Sequence, residues 1–277
     1  MPEPARALTI AGSDSGGGAG IQADLKTFQA LGVYGMTAVT AVTVQNTKGV
    51  SGYEELPPEI VAQQIRAVVD DIGVDAAKTG MLASTPIIDA VATAIEETGV
   101  PNLVVDPVFV SKHGHPLLAE DAVGALRTRI VPLATIVTPN LPEASGLAGF
   151  EVRTDDDMER AGEAILRLGA RAVLVKGGHR EERDAADLLV TEKGAQRIPG
   201  EWVDTPHTHG TGCVLSAAIA SYLAKGEDLV EAVVGGKAFV AGAIRHALEI
   251  GQGIGPVDPG WTARGPEAVG PDTPLIE

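Results

Sequence analysis

The chain of 277 residues carries one cysteine, Cys213, so it can form no internal disulfide, and a reducing cytoplasm is its expected setting. Only 3% of its residues are aromatic, too few for the stacking platforms that bind single-stranded nucleic acid. Positive charge is scarce: 21 Lys and Arg face 37 Asp and Glu, for a formal net charge of −16. That balance disfavours nucleic acids and anionic membranes as partners. No apolar run approaches the ~20 residues that span a bilayer. The start, Met1 to Arg6, lacks the basic and apolar regions of a signal peptide. No Gly-Lys-Ser or Gly-Lys-Thr occurs, which excludes a Walker A loop. The pairs His113/His115 and His207/His209 come with no Cys pair and no H-x3-H spacing, so a zinc site is not expected.

What is present is an alternation of short apolar runs with longer amphipathic ones. Strands are predicted at Ala7–Ala11, Met36–Val44, Val74–Lys78, Leu103–Asp106, Thr135–Thr138 and Ala172–Lys176, with edge strands at Ala186–Thr191 and Gln196–Ile198. Helices are predicted at Ile21–Leu31, Glu59–Val69, about Ser84–Glu97, Asp121–Arg129, Asn140–Leu147, Asp155–Leu168, Gly212–Leu223 and Leu229–Glu249. Such repeated units imply an α/β fold: a mostly parallel sheet between two layers of helices. One domain over residues 1–257 is expected, followed by a Gly/Pro-rich tail at 258–277.

Ligands of such sheets bind beyond the carboxyl ends of the strands. Asp106, Asn140 and Lys176 all fall there. His209-Gly-Thr-Gly-Cys213 runs straight into an apolar helix, which leaves several N–H groups free at the positive end of its dipole. That is a cradle for an anion, most often phosphate. A thiol on the first turn is expected to have a lowered pKa, although a Cys there also serves as a small core residue. The loop Gly12–Gly20 follows the first strand and opens a helix. Its run Gly16–Ile21 lacks the last glycine of a dinucleotide fingerprint, yet its glycines permit close backbone approach to a ligand. Asn140 and Glu143 share a helix face and suit either Mg²⁺ held through waters or a plain helix cap. Lys176-Gly-Gly-His179 can reach phosphates or stand as a solvated strand-end lysine.

Together these segments resemble a known family. Leu8 to Phe28, Val44-Gln-Asn-Thr47, Lys78-Thr-Gly-Met81, Val105-Asp-Pro-Val108, Thr138 to Ala144, Val175-Lys-Gly-Gly-His179, Thr208-His-Gly-Thr-Gly-Cys213 and Gly253 to Val257 are similar to the hydroxymethylpyrimidine/phosphomethylpyrimidine kinases of thiamine biosynthesis, members of the ribokinase-like superfamily. The resemblance spans about residues 5–257 and implies a three-layer α/β/α fold. It implies two successive phosphoryl transfers from MgATP, first to 4-amino-5-hydroxymethyl-2-methylpyrimidine and then to its monophosphate, in a cytoplasmic homodimer. By the same resemblance Cys213 would be the base, and Gly210, Thr211 and Gly212 the anion hole. Gln45 would pair with the aminopyrimidine edge, and Gly12, Asp24, Met81 and Val108 would line its pocket. Lys176 and Asn140 would hold the phosphates, and Asp106 and Glu143 the Mg²⁺ with its waters. Two other readings differ in substance. A pyridoxal kinase shares the Cys-bearing loop but departs at the segments holding Gln45 and Lys176. A sensor without turnover would not need an intact base, anion hole and metal carboxylates.

Overall fold

The sequence pattern becomes a layered structure in a computed structural model, described here for residues 3–112, 114–119, 121–178 and 185–263. His113, His179 and residues 264–277 lie outside this description. The main sheet has eight strands in the order β10-β9-β8-β7-β6-β5-β1-β2. Its strands are β1 (Arg6–Ala11), β2 (Tyr34–Val39), β5 (Ala76–Thr79), β6 (Leu103–Val105), β7 (Ile136–Val137), β8 (Ala172–Val175), β9 (Asp187–Thr191) and β10 (Gly194–Ile198). The run from β2 to β8 is parallel, and β9 and β10 add an antiparallel edge.

The pleat divides the apolar residues between two cores, because successive side chains leave a strand on opposite faces. Leu8, Ala77, Val105 and Val173 face one core; Ala7, Ala76, Val104 and Leu174 face the other. The first is covered by α2 (Pro58–Asp71), α3 (Thr85–Thr98), α5 (Leu141–Ala148) and α6 (Asp155–Leu166). The second is covered by α1 (Gly20–Ala30), α7 (Thr211–Ala224) and α8 (Leu229–Arg245). The small residues Ala217, Ala218 and Ala220 are wholly buried, which lets α7 lie close between the sheet and α8.

Three expectations are corrected. The β-branched run Met36–Val44 is not one strand. The chain turns at Thr40, whose hydroxyl donates to the Met81 carbonyl at 2.6 Å. It then forms β3 (Ala41–Asn46), which pairs with β4 (Gly49–Glu55) in a separate two-stranded ribbon. The segment from Asp121 is a single α turn, α4 (Ala122–Ala125), that widens into a π-helical turn at Leu126–Ile130 and closes in a 3-10 turn at Val131–Leu133. Order also continues past residue 257. Asp258 N–H donates to Ala243 O at 3.0 Å, and Trp261 stacks on His246 with ring centroids 5.6 Å apart, so residues to Ala263 belong to the packed body.

Candidate active site

Two helix N-termini meet above the sheet's carboxyl edge. One is α1, entered through the loop Gly12–Ala19. The other is α7, entered through His207–Gly210. The loops are fitted to each other at bare backbone: a Cβ on Gly210 would stand 1.8 Å from Gly18 O, and one on Gly18 would stand 2.5 Å from His209 Cδ2. Gly210 is also at φ 85°, a conformation that costs other residues dearly. Asp14 fastens the first loop. Its carboxylate accepts N–H bonds from Gly16 (2.8 Å), Gly18 (3.0 Å) and Ala19 (2.8 Å), and lies 2.8 Å from His209 Nε2 of the second loop. Burial pushes the Asp14 carboxyl up, but His209 and the backbone donors prevail and hold it below the usual carboxylate range.

Cys213 sits at the third position of α7, half-buried, with the Gly20 N–H of α1 aimed at its sulfur. The lowered thiol pKa expected from the helix dipole is not found. Burial pushes the thiol up to about 11; Lys78 opposes this, while Asp24 and Asp106 add to it. Desolvation here outweighs the opposing pull of Lys78 and of the Gly20 N–H. Position alone could not reveal this, because it depends first on how deeply the packed fold buries the thiol and then on charges brought in from β5, α1 and β6. Of the expected anion-hole donors, the Thr211 N–H is turned toward Thr208 O at 3.4 Å. The next two amides, of Gly212 and Cys213, have no acceptor within a helix's first turn and are the donors that α7 presents.

Beside Gly212 lies a cluster of charge. A Cβ on Gly212 would be 3.5 Å from Asp106 Oδ2 and 3.6 Å from Lys176 Nζ. Lys176 Nζ is 3.3 Å from Asp106 Oδ1 and 3.9 Å from Glu143 Oε2. Burial first, and the like charge of Asp106 second, raise the Glu143 carboxyl to about 7 despite Lys176. Glu143 and Asn140 also form a reciprocal cap on α5: Asn140 N–H donates to Glu143 Oε2 (2.8 Å), and Glu143 N–H donates to Asn140 Oδ1 (2.9 Å). Asn140 therefore has its carbonyl oxygen committed to the helix. The turn after Lys176 is fixed by Gly177 N–H donating to Asp187 Oδ1 at 3.0 Å.

The expected pocket wall is brought together in part. Met81 packs with Ala41, Ala83, Leu117 and Val108 in a small separate core, and a Cβ on Gly12 would stand 3.1 Å from Met81 Sδ. Gln45 lies on β3 at a bulge, 3.5 Å from His209 Nε2 through its own Nε2. Its Oε1 has only a long contact, 3.4 Å, with a Thr43 hydroxyl that already donates to Ser13 O. The amide is thus held loosely and can pair elsewhere. Asp24 does not line the pocket. It is wholly buried behind Cys213, where Lys78 Nζ lies 2.9 and 3.0 Å from its two oxygens and the Thr9 hydroxyl donates at 2.7 Å. Removing one partner of such a pair typically costs ~3–5 kcal/mol. Lys78 itself was legible only as part of a motif, yet a lysine in a four-residue buried strand and an aspartate on the apolar face of α1 are the signal of a buried pair. Of the histidines in the two pairs, His115 is exposed and His207 Nδ1 accepts from Gly255 N–H.

A parallel sheet whose carboxyl edge presents a helix-borne thiol, free amides, and a lysine between two carboxylates is the architecture of a ribokinase-like kinase. Solved structures agree. An ADP complex of Bacillus subtilis pyridoxal kinase superposes with TM-score 0.88 at 42% identity, covering 94% of this chain and 99% of that one. Phosphomethylpyrimidine kinase from Clostridium difficile 630 gives 0.77 at 46%, covering 86% and 99%. The chain belongs to the phosphomethylpyrimidine kinase family, whose sequence profile matches residues 14–258. It is 52% identical over 258 residues to hydroxymethylpyrimidine/phosphomethylpyrimidine kinase of Streptomyces coelicolor, covering 93% of this chain and 95% of that one. Against the Escherichia coli kinase of the same name, identity is 45% over 254 residues, covering 91% and 96%.

Proposed function

We infer that this kinase uses ATP to phosphorylate 4-amino-5-hydroxymethyl-2-methylpyrimidine and then the resulting monophosphate, in thiamine biosynthesis. The observation that carries the reading is Cys213 set between two helix N-termini in a member of this family. In the first step the substrate hydroxyl gives its proton to the thiolate form of Cys213, whose small population at neutral pH is set by the raised thiol pKa. Its oxygen then bonds to the γ-phosphorus while the bond to ADP breaks. The amides of Gly212 and Cys213 offset charge on the transferring group. In the second step the attacking atom is a phosphate oxygen. A phosphomonoester has its second pKa near ~6, so at neutral pH that oxygen carries no proton to be removed.

Asp106 and Glu143 fit Mg²⁺ through waters and phosphate: they are buried oxygen donors that share a single lysine, and this ion keeps much of its hydration. The ion supplies neutralisation of phosphate charge. We assign Lys176 to the ATP phosphates; its position between the two carboxylates and near Gly212, at the amide end of α7, supports that reading. Gln45 offers one donor and one acceptor to the aminopyrimidine edge. Gly12, Met81 and Val108 close the pocket around the ring. No helix among the described residues is long and apolar enough to cross a membrane. A cytoplasmic homodimer is the assembly we infer, and sedimentation of the purified chain tests the dimer.

A second reading is kept because the Staphylococcus aureus pyridoxal kinase in complex with AMP-PCP and pyridoxal also superposes closely, with TM-score 0.86 at 36% identity. Steady-state ADP release with hydroxymethylpyrimidine, its monophosphate and pyridoxal decides between them. Both pyrimidines should exceed pyridoxal in kcat/KM; the reverse order would establish the pyridoxal reading.

A further inference from the structure

Lys237 stands on the packed face of α8, and the reaction above leaves it unused. Val233 lies one helical turn before it and Val240 one turn after, so the three share a side of the helix, and both valines are buried. The Lys237 side chain is itself only 15% exposed. Its stem runs against bare backbone: a Cβ on Gly200 would stand 2.7 Å from Lys237 Cε. Its ammonium donates to Ala185 O and pairs with Asp187 Oδ2. Asp187 opens β9 and shares a face of the sheet with Leu189, which packs in the core under α7 and α8.

The buried Asp187 carboxylate serves donors from two different elements. Oδ2 meets Lys237 of α8, and Oδ1 accepts the Gly177 N–H at 3.0 Å. Gly177 follows Lys176 directly, just past the end of β8, and is buried, where an unpaired N–H is costly. A turn of two glycines has wide backbone freedom, so its course is set by contacts from outside. Asp106 and Glu143 hold the tip of Lys176; Asp187 holds the backbone from which that side chain starts. Apolar residues of like volume often serve a core as well as a buried ion pair does, or better. Packing alone therefore gives little reason for charge at 187 and 237, whereas a carboxylate divided between an ammonium and the turn after Lys176 gives one.

We propose that Lys237 and Asp187 are positioning residues for Lys176. Lys237 fixes the Asp187 carboxylate, and the carboxylate fixes the turn that aims Lys176 at the ATP phosphates. Both act through Lys176 and not on the reacting atoms. The proposal rests on the assignment of Lys176 to ATP.

The experiment measures initial rates against ATP and against hydroxymethylpyrimidine in wild type, Lys237→Met, Lys176→Met and the double variant, with amide hydrogen exchange as the structural readout. Met keeps the stem beside Gly200 and removes the ammonium. Lys237→Met is expected to raise KM for ATP by roughly five- to fiftyfold, within the ~10² that a displacement of about 1 Å can cost. KM for the pyrimidine should stay within about twofold. The Gly177 amide should exchange at least about tenfold faster while the amides of β8 keep their wild-type rates. In the Lys176→Met background the same substitution should add less than about twofold, because residues acting through one contact are not additive. An unchanged KM for ATP in folded Lys237→Met would overturn the proposal. So would a full further loss in the double variant, or faster exchange throughout β8, since each describes a pair that only holds up the fold. Should Lys237→Met not fold, Asp187→Asn decides: its one oxygen cannot serve both the Gly177 N–H and the ammonium, and no rise in KM for ATP overturns the proposal. Lys176→Met, read alone, separates the two levels. An unchanged KM for ATP there removes Lys176 from the phosphates and takes the proposal with it. A raised KM there, with none in Lys237→Met, leaves Lys176 on the phosphates and overturns the proposal alone.

Discussion

His209 Nε2 lies 2.8 Å from Asp14 Oδ2, and this one contact joins two loops 195 residues apart in the chain. The same carboxylate gathers three backbone N–H groups of its own loop. Asp14→Asn exchanges an acceptor for an amide that cannot satisfy all of them. Each buried group left unpaired costs ~1–3 kcal/mol, which at this size reads as a fall in Tm of roughly 2–10 °C. The pH dependence has a definite sign. The folded pKa of Asp14 lies below its ordinary value, so its stabilisation is present above about pH 4 and is lost as pH falls through the folded pKa. Thermal melts from pH 7 to 3 should show a shallower acid-side decline in the variant than in wild type.

Cys213→Ala should separate the two phosphorylations. The first must remove a hydroxyl proton and should lose roughly 10²–10⁴ in kcat. The second attacks through an oxygen already ionised and should lose less than about tenfold. Equal losses in both steps, measured with each substrate supplied separately, would mean the cysteine shapes the site without acting as base.

A thiol held at about 11 also predicts a pH profile. For the first step, log kcat/KM should climb with a slope near one between pH 8 and 10, above the titration of Glu143. This quantity reports the free enzyme's essential groups. The second step should be nearly flat over that range. A plateau for the first step by pH 8 would show that the thiol ionises far below where its burial places it.

Gln45→Met keeps approximate side-chain size but leaves the aminopyrimidine's polar edge unpaired in the pocket. At ~1–3 kcal/mol for an unsatisfied group, kcat/KM for hydroxymethylpyrimidine should fall by about 5- to 150-fold. Pyridoxal lacks the 4-amino group, so its rate should fall less or rise. Parallel losses on both compounds would assign Gln45 to the general shape of the pocket.

Lys176→Met leaves Asp106 and Glu143 facing each other without their shared cation. KM for ATP should rise at least about tenfold while KM for the pyrimidine changes little. Titrating Mg²⁺ at fixed ATP separates a direct phosphate contact from an effect through the metal carboxylates: excess Mg²⁺ should not restore the wild-type KM.

The parts of this fold legible in the sequence are those where burial and chemistry agree. The paired runs of β1 with α1 and of β8 with its Lys-Gly-Gly turn carry period and punctuation together, and they fall where expected. The ribbon β3–β4 was hidden because Val42 and Val44 are β-branched like core residues but are 52% and 64% exposed. Nothing at Thr40 marks a break, since its turn depends on a carbonyl 41 residues away. Motifs located Cys213, Gly212, Asp106, Glu143 and Lys176, which converge in space. They could not give the ionisation of the thiol or the burial of Asp24, because both follow from what the packed fold sets around a residue rather than from its neighbours in sequence.

The bare-backbone fit of Gly18 against Gly210 has a consequence for how the enzyme comes into being. Synthesis delivers the amino-terminal segment first, so one wall of the site exists long before its counterpart. Residues 12–20 precede their counterpart at Gly210 by about 190 of the 277 residues, roughly seven-tenths of the polypeptide. A product that ends before Gly210 contains Lys176 and Asp106 but lacks the Gly212 and Cys213 amides of α7. The anion-binding end of the site is therefore completed by a segment in the last quarter of the chain.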